Sequence, residues 1–558
     1  MPDSATDPLN RPAEASARPR TRSLLTADCG PLMAYLPAVV LALLFVALIY
    51  PPAFLAGHGG FFEHGDGAQH ATGWLLYAQD AWRFPLMHTA RLNFPDGASI
   101  VFTDSIPLAA VLLKPLAGLL PAGAHHIGAW HVVAFATQAP AAVFLVRSLG
   151  ARHLLAAVAA AAFALLWPPL LFRAAAHTSL MTHALLLVSL GLYFRGTSGN
   201  DAHGTAARTA IGVCIAALLV HPYLAAMCLA VFFAQLADRV AAGETVRRQL
   251  PRIATLVALL AATAVVFGYS GGSRASGFGH YSMNLLSPFC ADSLALLARC
   301  RADATGGQGE GFNYLGAGAW VVIAVSLLAL HDRLVPFCRR HPALVAAAVL
   351  LFAYSLSTRV FAGQAELLSL DLPGFASRLA DTFRSSGRMF WLVGYLVAFG
   401  ALAALLRQPS RIALAVIVVA VGLQWLDTGP LRDRLTQTAS QPSRNDLPAW
   451  EQRLAGIDLL RMYPAFGCGP VDTELYIQMQ RVAAHFRLPI DTGYVARRRD
   501  DCGRDGTRSA MAPSPRHLYL VHDSALTDTG ALPPAFRQAV VGGKCEKLGV
   551  LLACRHAP

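Results

Sequence analysis

The sequence predicts a mainly α-helical protein, a polytopic membrane bundle of about eleven spans that ends in a small α/β domain outside the membrane. Three observations predict this fold class. Of the 558 residues, 55% are hydrophobic and only 14% are charged, whereas a soluble protein has roughly 25% charged residues. Apolar runs of span length recur between residues 31 and 427, and a backbone in hydrocarbon must satisfy its own hydrogen bonds, as helices do. After residue 427 the chain becomes polar, with short β-like runs.

The N-terminal part sets the expected orientation. Residues 1–30 are polar and rich in Pro, Ala and Arg, which predicts a disordered segment on the cytoplasmic side. The run 31–50 is longer than the apolar core of a signal peptide, so we expect it to stay as the first helix. Basic residues cluster in alternate turns between the later apolar runs, the positive-inside pattern of a bacterial inner-membrane protein. The net charge of +12 therefore does not indicate nucleic-acid binding, since no basic patch is interleaved with aromatic residues.

The apolar segments expected to span the membrane lie near 31–50, 127–146, 153–171, 178–194, 209–221, 222–238, 253–270, 316–331, 341–358, 389–406 and 412–427. Two choices keep alternate turns basic. The run 106–121 is short and interrupted by Lys114, so we expect it to lie in the interface with that lysine snorkelling to the headgroups. Residues 209–238 are expected to form a hairpin that breaks at His221; as one long helix they would reverse the topology of everything that follows.

The polar tail completes the expected organisation, which is 1–30, a membrane domain 31–427 with an outer loop 51–126, and a periplasmic α/β domain 428–558. Within the tail, β-like runs lie at 459–465, 517–523 and 548–556, and a helical pattern lies at 472–486. Six of the ten cysteines fall in segments expected outside, where disulfides persist. Joining sequence neighbours would give Cys290–Cys300, Cys468–Cys502 and Cys545–Cys554, with Cys338 unpaired inside, although the sequence leaves the connectivity open.

Candidate functional residues gather on the expected outer face. The predicted spans hold essentially no charged residues in their interiors, which argues against ion-coupled transport. In "FFEHGDGAQHATG", Asp66 lies between two glycines soon after the first span, and a carboxylate there can act as a general base or a metal ligand. Glu63, His64 and His70 either support it or are ordinary loop residues. Asp104, in "FTDSIP", is expected to cap the interfacial helix, with support of the site as the alternative.

Two further loops offer groups that bind ligands. In "FRAAAHTSL", Arg173 and His177 lie in an outer turn, where His177 can bind a phosphate or a metal. In "GQGEGFNYLG", Glu310 lies among glycines, which let a ligand approach the backbone closely. Asn313 and Tyr314, from the same stretch, are residue types that contact sugars.

The stretch "FRSSGR" carries Arg384 and Arg388 just before the predicted span 389–406. Arginines on the outer face run against the positive-inside trend, so they call for a functional reason. Guanidinium groups next to a helix N-terminus suit a phosphate.

These stretches together resemble the GT-C class of integral-membrane glycosyltransferases. The match rests on "GDGAQHATGWLLYAQDAWRFP", the interfacial run 106–121 and "FRSSGR". More closely, "NFPDGASIVFTDSIPL", "EGFNYLG" and "DTGYVARRRDDC" look like an uncharacterised family of bacterial membrane proteins grouped with that class. The resemblance implies a GT-C fold, transfer of a hexose or pentose from a polyprenyl-phosphate donor, and a catalytic acid in the first outer loop, where Asp66 falls.

The resemblance leaves metal dependence open. Metal-dependent members carry further acidic residues in a second outer loop, where this sequence offers Arg173 and His177 instead. No metal ligand or other cofactor is therefore firmly predicted, although a divalent metal fits the class.

Two functions are considered. The first is an inverting transferase on the outer face of the inner membrane, with Asp66 as base, Arg384 and Arg388 on the lipid phosphate, and His177 and Glu310 lining the cleft. Its expected partners are the bilayer, the lipid-linked donor and a glycan, lipid or protein acceptor of the cell envelope. The alternative is a non-catalytic transporter of lipid-linked glycans or an envelope-assembly protein.

Overall fold

The protein is described by a computed structural model, which covers residues 27–198, 201, 204–270, 277–407, 410–497, 502 and 511–556. Most of the N-terminal segment 1–30, expected to be disordered, lies outside these residues. The helices of seven or more residues are α1 Pro31–Ile49, α2 Gly65–Ala78, α3 Pro107–Leu113, α4 Ile127–Ser148, α5 Leu154–Leu165, α6 Pro168–Ala174, α7 Ala184–Thr197, α8 Thr205–Val220, α9 Pro222–Ala241, α10 Val246–Phe267, α11 Ala317–Leu330, α12 Leu334–Arg340, α13 Pro342–Leu356, α14 Gly374–Ala380, α15 Phe390–Leu406, α16 Arg411–Asp427, α17 Gly429–Ala439, α18 Thr473–His485 and α19 Pro534–Gly542. The strands are β1 His88–Thr89, β2 Ala98–Ser99, β3 Arg359–Ala362, β4 Ala365–Ser369, β5 Leu459–Tyr463, β6 His517–His522, β7 Lys544–Leu548 and β8 Leu551–Arg555.

Each predicted apolar segment contains a helix, but fewer helices have the length and composition of a span. Within the described part of the chain, six helical stretches are long and apolar enough to cross a membrane. The number rises to eight if two bent pairs, α5 with α6 and α16 with α17, each count as one span. The structure thus shows a mainly helical protein with six to eight candidate spans, and the count of about eleven is not reached.

The segment 178–194 differs from its prediction at the start. Thr178–Leu180 forms a single 3₁₀ turn, and the regular helix α7 begins only at Ala184.

The hairpin predicted within 209–238 is confirmed. Helix α8 ends at Val220 and α9 begins at Pro222, with His221 as the residue between them. Proline has no N–H to donate and its ring clashes with a preceding helical turn, so it begins a helix readily and does not continue one.

The run 106–121 forms α3 followed by a 3₁₀ turn, Lys114–Leu119. Its outward leucines, such as Leu119, are exposed, as an interfacial helix requires. The snorkelling prediction for Lys114 is wrong: only 6% of the residue is exposed. Its Nζ lies 3.6 Å from the ring centroid of Tyr77 and donates to the Ala81 carbonyl at 3.3 Å, so an aromatic face and a carbonyl replace water around the ammonium.

The tail folds as a four-stranded sheet in the order β5-β6-β8-β7. Strands β5 and β6 run parallel, and the other two pairs are antiparallel. Strand β7 was not predicted from the sequence, because it is an exposed edge strand with a polar sequence, "KCEKL". The run predicted at 548–556 instead begins with the turn of the β7–β8 hairpin, and its strand starts at Leu551.

The cysteine pairing of sequence neighbours is confirmed. Disulfides join Cys290 to Cys300, Cys468 to Cys502 and Cys545 to Cys554. Cys338 is free, as expected.

The tail and the loop 51–126 share one hydrophobic core. Leu76 and Leu92 of the loop are buried in the same cluster as Leu460 and Ile490 of the tail. The backbones are also joined, since the Ile490 N–H donates to the Arg91 carbonyl at 2.9 Å and the Phe94 N–H donates to the Ile490 carbonyl at 3.0 Å. The tail is therefore fixed against the loop that carries Asp66.

Candidate functional site

Segments far apart in the sequence meet at one end of the helix bundle. They are the first turn of α2, the loop before α3, the turn after α6, the break between α8 and α9, the loop before α11, the turn before α15 and the loop after α18. All seven lie on the side that the topology predicts to be outside.

Asp66 lies in the first turn of α2, a position where the free N–H groups of a helix favour a carboxylate. The turn is reached through Gly65, whose φ of +54° suits glycine. The Gly65 N–H donates to Glu474 of the tail at 3.0 Å, which fixes the start of the helix.

The pKa of Asp66 is set by burial and by four charged residues near it. Burial raises the pKa of Asp66; the nearby charges of His177 and Arg173 lower it, and those of Glu310 and Asp104 raise it. The net effect is a pKa above the ordinary aspartate value. A carboxylate adjusted in this direction is a better proton acceptor, which is the property that a general base needs.

Asp104 lies at the centre of a group of histidines. One carboxylate oxygen is 3.3 Å from His177 Nε2, and the other is 3.6 Å from His221 Nε2. The ring of His70, one turn after Asp66 on α2, lies 4.7 Å from the His177 ring. Burial alone would raise the pKa of Asp104, but the hydrogen bond to His177 and the three imidazoles hold it well below its usual range.

The prediction that Asp104 caps the interfacial helix is wrong. Helix α3 has Ile106 as its N-cap residue and receives no side-chain cap. Asp104 adopts a φ of +53°, which turns its carboxylate towards the histidines. Aspartate tolerates this left-handed conformation better than most residues.

A hydrogen bond shows which ring nitrogen of His221 carries the proton. His221 Nδ1 accepts the backbone N–H of Tyr223 at 3.2 Å, so in the neutral ring Nε2 carries the proton and faces Asp104. Burial lowers the pKa of His221 to about 3, which keeps the ring neutral.

Three residues of this group could hold a metal ion. The ligand atoms of His70, Asp104 and His177 all lie within 4.8 Å of one another. His70 is fully buried, and neither of its ring nitrogens has a hydrogen-bond partner in the described part of the chain. A buried imidazole without a partner is costly unless it receives one, and two imidazoles with a carboxylate suit a divalent transition metal.

A second charged group adjoins the first. Glu310 bridges two buried arginines: its Oε2 is 3.1 Å from Arg173 Nη1 and also contacts Arg388 Nη2. Burial would raise the pKa of Glu310, but the two guanidinium charges hold it well below its usual range. The Nε of each arginine is buried without a hydrogen-bond partner among the described residues. The pair therefore keeps donors that could bind an anion.

The other predicted residues lie as follows. Arg384 is half-buried, with its guanidinium 5.3 Å from the ring centroid of Tyr281, and its charge lowers the pKa of Tyr494. Glu63 faces the tail, where it pairs with Arg481 at 3.9 Å. His64 is half-buried as the residue before α2 and gives no cap from its side chain.

The predicted sugar contacts of Asn313 and Tyr314 do not fit the structure. Both side chains are fully buried. Asn313 Nδ2 donates to the Gly387 carbonyl at 2.9 Å, and the Tyr314 hydroxyl donates to Asp427 at 2.5 Å. These bonds hold loops together and leave no surface for a ligand.

Three residues of the site were not singled out from the sequence. His221 and Tyr223 lie in a His-Pro-Tyr break between two apolar helices on the expected outer side, and that placement could have marked them. The Tyr223 ring lies 4.7 Å from the Arg388 guanidinium, and its hydroxyl accepts the Ser385 N–H at 2.8 Å.

The third is Tyr494, from the tail stretch "DTGYVARRRDDC". Burial and the charges of Asp66, Asp104 and Glu310 raise its pKa to about 12, against the opposing charge of Arg384. Its hydroxyl therefore lies among the groups of the site, and only the fold could reveal this.

Comparisons with known proteins give a family and two distant structures. The family model described as Domain of unknown function (DUF6311) matches residues 39–429, and the model of the DUF6311 C-terminal domain matches residues 449–555. No curated protein matches the chain.

Two of the similar structures are archaeal. The apo oligosaccharyltransferase of Archaeoglobus fulgidus is 12% identical with a TM-score of 0.39, over 82% of this chain and 64% of that chain. The oligosaccharyltransferase AglB of the same organism, in complex with an inhibitory peptide and a dolichol-phosphate, is 10% identical with a TM-score of 0.34, over 93% and 74%. The chain thus spans less than two thirds of the length of the first enzyme.

Proposed function

This chain belongs to the DUF6311 family, and we propose that it is a membrane glycosyltransferase that moves a sugar from a lipid-phosphate donor to a hydroxyl acceptor. One observation carries the proposal. A half-buried carboxylate with a raised pKa, Asp66, lies in the same group of charged residues as two buried arginines whose Nε atoms have no partner among the described residues. A base for an acceptor and a cationic site for a phosphate leaving group are the two parts that such a transfer needs.

In the proposed reaction, the acceptor oxygen attacks the anomeric carbon of the sugar from the Asp66 side. Asp66 takes the acceptor's proton while the bond between the anomeric carbon and the phosphate oxygen breaks. The lipid phosphate leaves with the bonding electrons. Because it leaves from the face opposite the attacking oxygen, the configuration at the anomeric carbon inverts.

The arginines have the role of stabilising the leaving group. Arg388 and Arg173 are held in position by Glu310. Their remaining N–H groups can donate hydrogen bonds to the phosphate oxygens. Arg384 adds a third positive charge at the edge of the candidate site. Placing these donors before the reaction begins avoids the cost of reorganising them during it.

The group of His70, Asp104 and His177 lies beside Asp66 and Glu310 and fits a divalent cation. Such an ion would supply further positive charge towards the phosphate. Whether or not an ion is bound, the charge of His177 lowers the pKa of Asp66 and that of Glu310.

The proposal is tested with the purified full-length protein, a polyprenyl-phosphate-linked radiolabelled sugar and a panel of acceptors. Asp66→Asn keeps the shape of the side chain but removes the base, and we expect transfer to fall by about 10²–10⁴-fold. Asp292→Asn, which changes an exposed outer carboxylate, is the control and should leave transfer unchanged. Undiminished transfer by Asp66→Asn would exclude Asp66 as the base.

A further inference from the structure

A cavity lies at the end of the helix bundle opposite the candidate site. It opens between the C-terminal halves of α4, α7, α11 and α15 and the short helix α12, and it encloses about 640 Å³. Its wall is largely apolar, with Phe194, Ile323, Leu327 and Leu396 among the lining residues. No residue of the candidate site lines it, so it is a separate feature of the molecule.

The depth of this cavity matches one leaflet of a bilayer. On α15 the lining residues run from Leu396 to Arg407, which at 1.5 Å per residue is about 16 Å along the helix axis. That is about half of the roughly 30 Å of hydrocarbon in a membrane. The cavity therefore extends from the end of the bundle to about the middle of the membrane.

The open end of the cavity is positively charged. Arg333, Arg340 and Arg407 line it and are exposed. Within the described residues none of the three guanidinium groups forms an ion pair or a hydrogen bond, and no carboxylate lines the cavity. Asp332 lies next to Arg333 in the sequence but is exposed outside the lining. His341 also lines the cavity, and its Nδ1 donates at 2.8 Å to the Tyr193 hydroxyl, which itself donates to Asp238.

We propose that this cavity binds an anionic phospholipid of the predicted inner leaflet, with an acyl chain in the apolar part and the phosphate on the three arginines. Basic pockets at the ends of membrane helices are suited to anionic headgroups, and arginine binds phosphate through two parallel N–H groups. The volume lies within the range of sites that bury a small molecule. This site does not depend on the proposed transferase activity.

The headgroup part of the proposal is tested on the delipidated full-length protein in detergent. Binding of phosphatidylglycerol and of phosphatidylcholine with identical acyl chains is measured by native mass spectrometry and by the shift in thermal unfolding. Three arginines near the phosphate should favour the anionic lipid by on the order of 100-fold. The triple variant Arg333→Gln, Arg340→Gln and Arg407→Gln should lose this preference. Arg339→Gln, on the same short helix but outside the cavity lining, should keep it.

The acyl-chain part is tested by filling the cavity. Gly400 lines it, and a Cβ placed there would meet no atom within 4 Å, so Gly400→Phe can enter the space without displacing its neighbours. We expect this variant to bind phosphatidylglycerol at least about tenfold more weakly with all three arginines in place. The proposal is overturned if the parent protein binds both lipids equally, if Gly400→Phe binds like the parent, or if inorganic phosphate alone gives the full thermal shift.

Discussion

The backbones of Gly311 and Gly387 are in contact, since a Cβ added to either residue would lie 2.7 Å from the Cα of the other. Each glycine is the neighbour of a charged residue of the site, Glu310 in one loop and Arg388 in the next. Only two residues without side chains allow the loops to approach this closely. The contact therefore sets the distance between the carboxylate and the guanidinium.

This contact predicts a specific effect of a single methyl group. Gly387→Ala should force the two loops apart and weaken the Glu310–Arg388 ion pair, so we expect the KM for the lipid-linked donor to rise by about tenfold or more. Gly422→Ala, at a helix position where a Cβ would meet nothing within 4 Å, is the matched control. Unchanged donor KM in Gly387→Ala would show that the spacing is not critical for donor binding.

The pH dependence of transfer should reflect the ionisation of Asp66. A general base must be ionised, and the pKa of Asp66 is raised by burial and by Glu310 and Asp104, against His177 and Arg173. Transfer should therefore decrease as the pH falls through a pKa that lies above the ordinary aspartate value of about 3.9. The check is a pH profile of kcat/KM, with the residual activity of Asp66→Asn as the reference. A profile with the same acidic limb in that variant would assign the limb to another group.

Tyr494 brings a hydroxyl of the tail near the charges of Asp66, Asp104 and Glu310. Its ring packs edge-on against Phe466, with the centroids 5.2 Å apart, and Tyr494→Phe preserves that contact while removing the hydroxyl. We expect the hydroxyl to bind a charged group of the substrate, a hydrogen bond worth about 1.5–3 kcal/mol, so transfer should fall by roughly 10–100-fold with little change in Tm. Tyr463→Phe, in the same sheet domain but outside the site, should change neither quantity. A large loss of Tm in Tyr494→Phe would instead indicate a structural role.

The metal-binding group predicts a thermal response. Mn²⁺ or Zn²⁺ should raise the Tm of the parent protein by binding the folded state, and His70→Ala should lose this effect because one of three ligands is gone. His485→Ala, which changes an exposed histidine of α18, should respond like the parent. Equal responses of His70→Ala and the parent would place the ion elsewhere.

The sheet domain contains a fully buried ion pair, Arg461 with Asp491, at 3.4 Å. Asp491 also accepts the Met462 N–H at 2.9 Å. Asp491→Ala leaves the guanidinium buried without its carboxylate, and such losses cost about 3–5 kcal/mol. Asp458→Ala removes an exposed pair with Arg516 and should cost at most about 1 kcal/mol. The two Tm values of the full-length variants check the contrast.

The helices were predictable because apolar runs and prolines act locally. The break at His221 and the strands β5, β6 and β8 follow from residues close together in the sequence, whereas the sequence left the disulfide connectivity open. Features that depend on distant partners were not predictable. Lys114 was expected to reach the headgroups, and only the fold brings the Tyr77 ring to it.

The same division applies to the site. Asp66, His177, Glu310 and Arg388 could be selected because charged residues at the ends of apolar helices stand out. The role of Asp104 could not, since a cap and a partner for histidines look alike in the sequence and only its backbone conformation separates them. Asn313 was misread because an amide that ties two loops has the same composition as one that contacts a sugar.

The bonds between the tail and the first outer loop join residues about 400 positions apart, as Gly493 and Asn93 do. A ribosome adds about 5–20 residues per second, so the loop that carries Asp66 is made on the order of 20–80 s before the segment that covers it. During that interval Leu76 and Leu92 lack the part of their cluster that the tail supplies, which includes Leu460 and Ile490. The tail therefore completes the surroundings of Asp66 late in synthesis, and a chain truncated before the tail would lack the Glu474 carboxylate that accepts the Gly65 N–H.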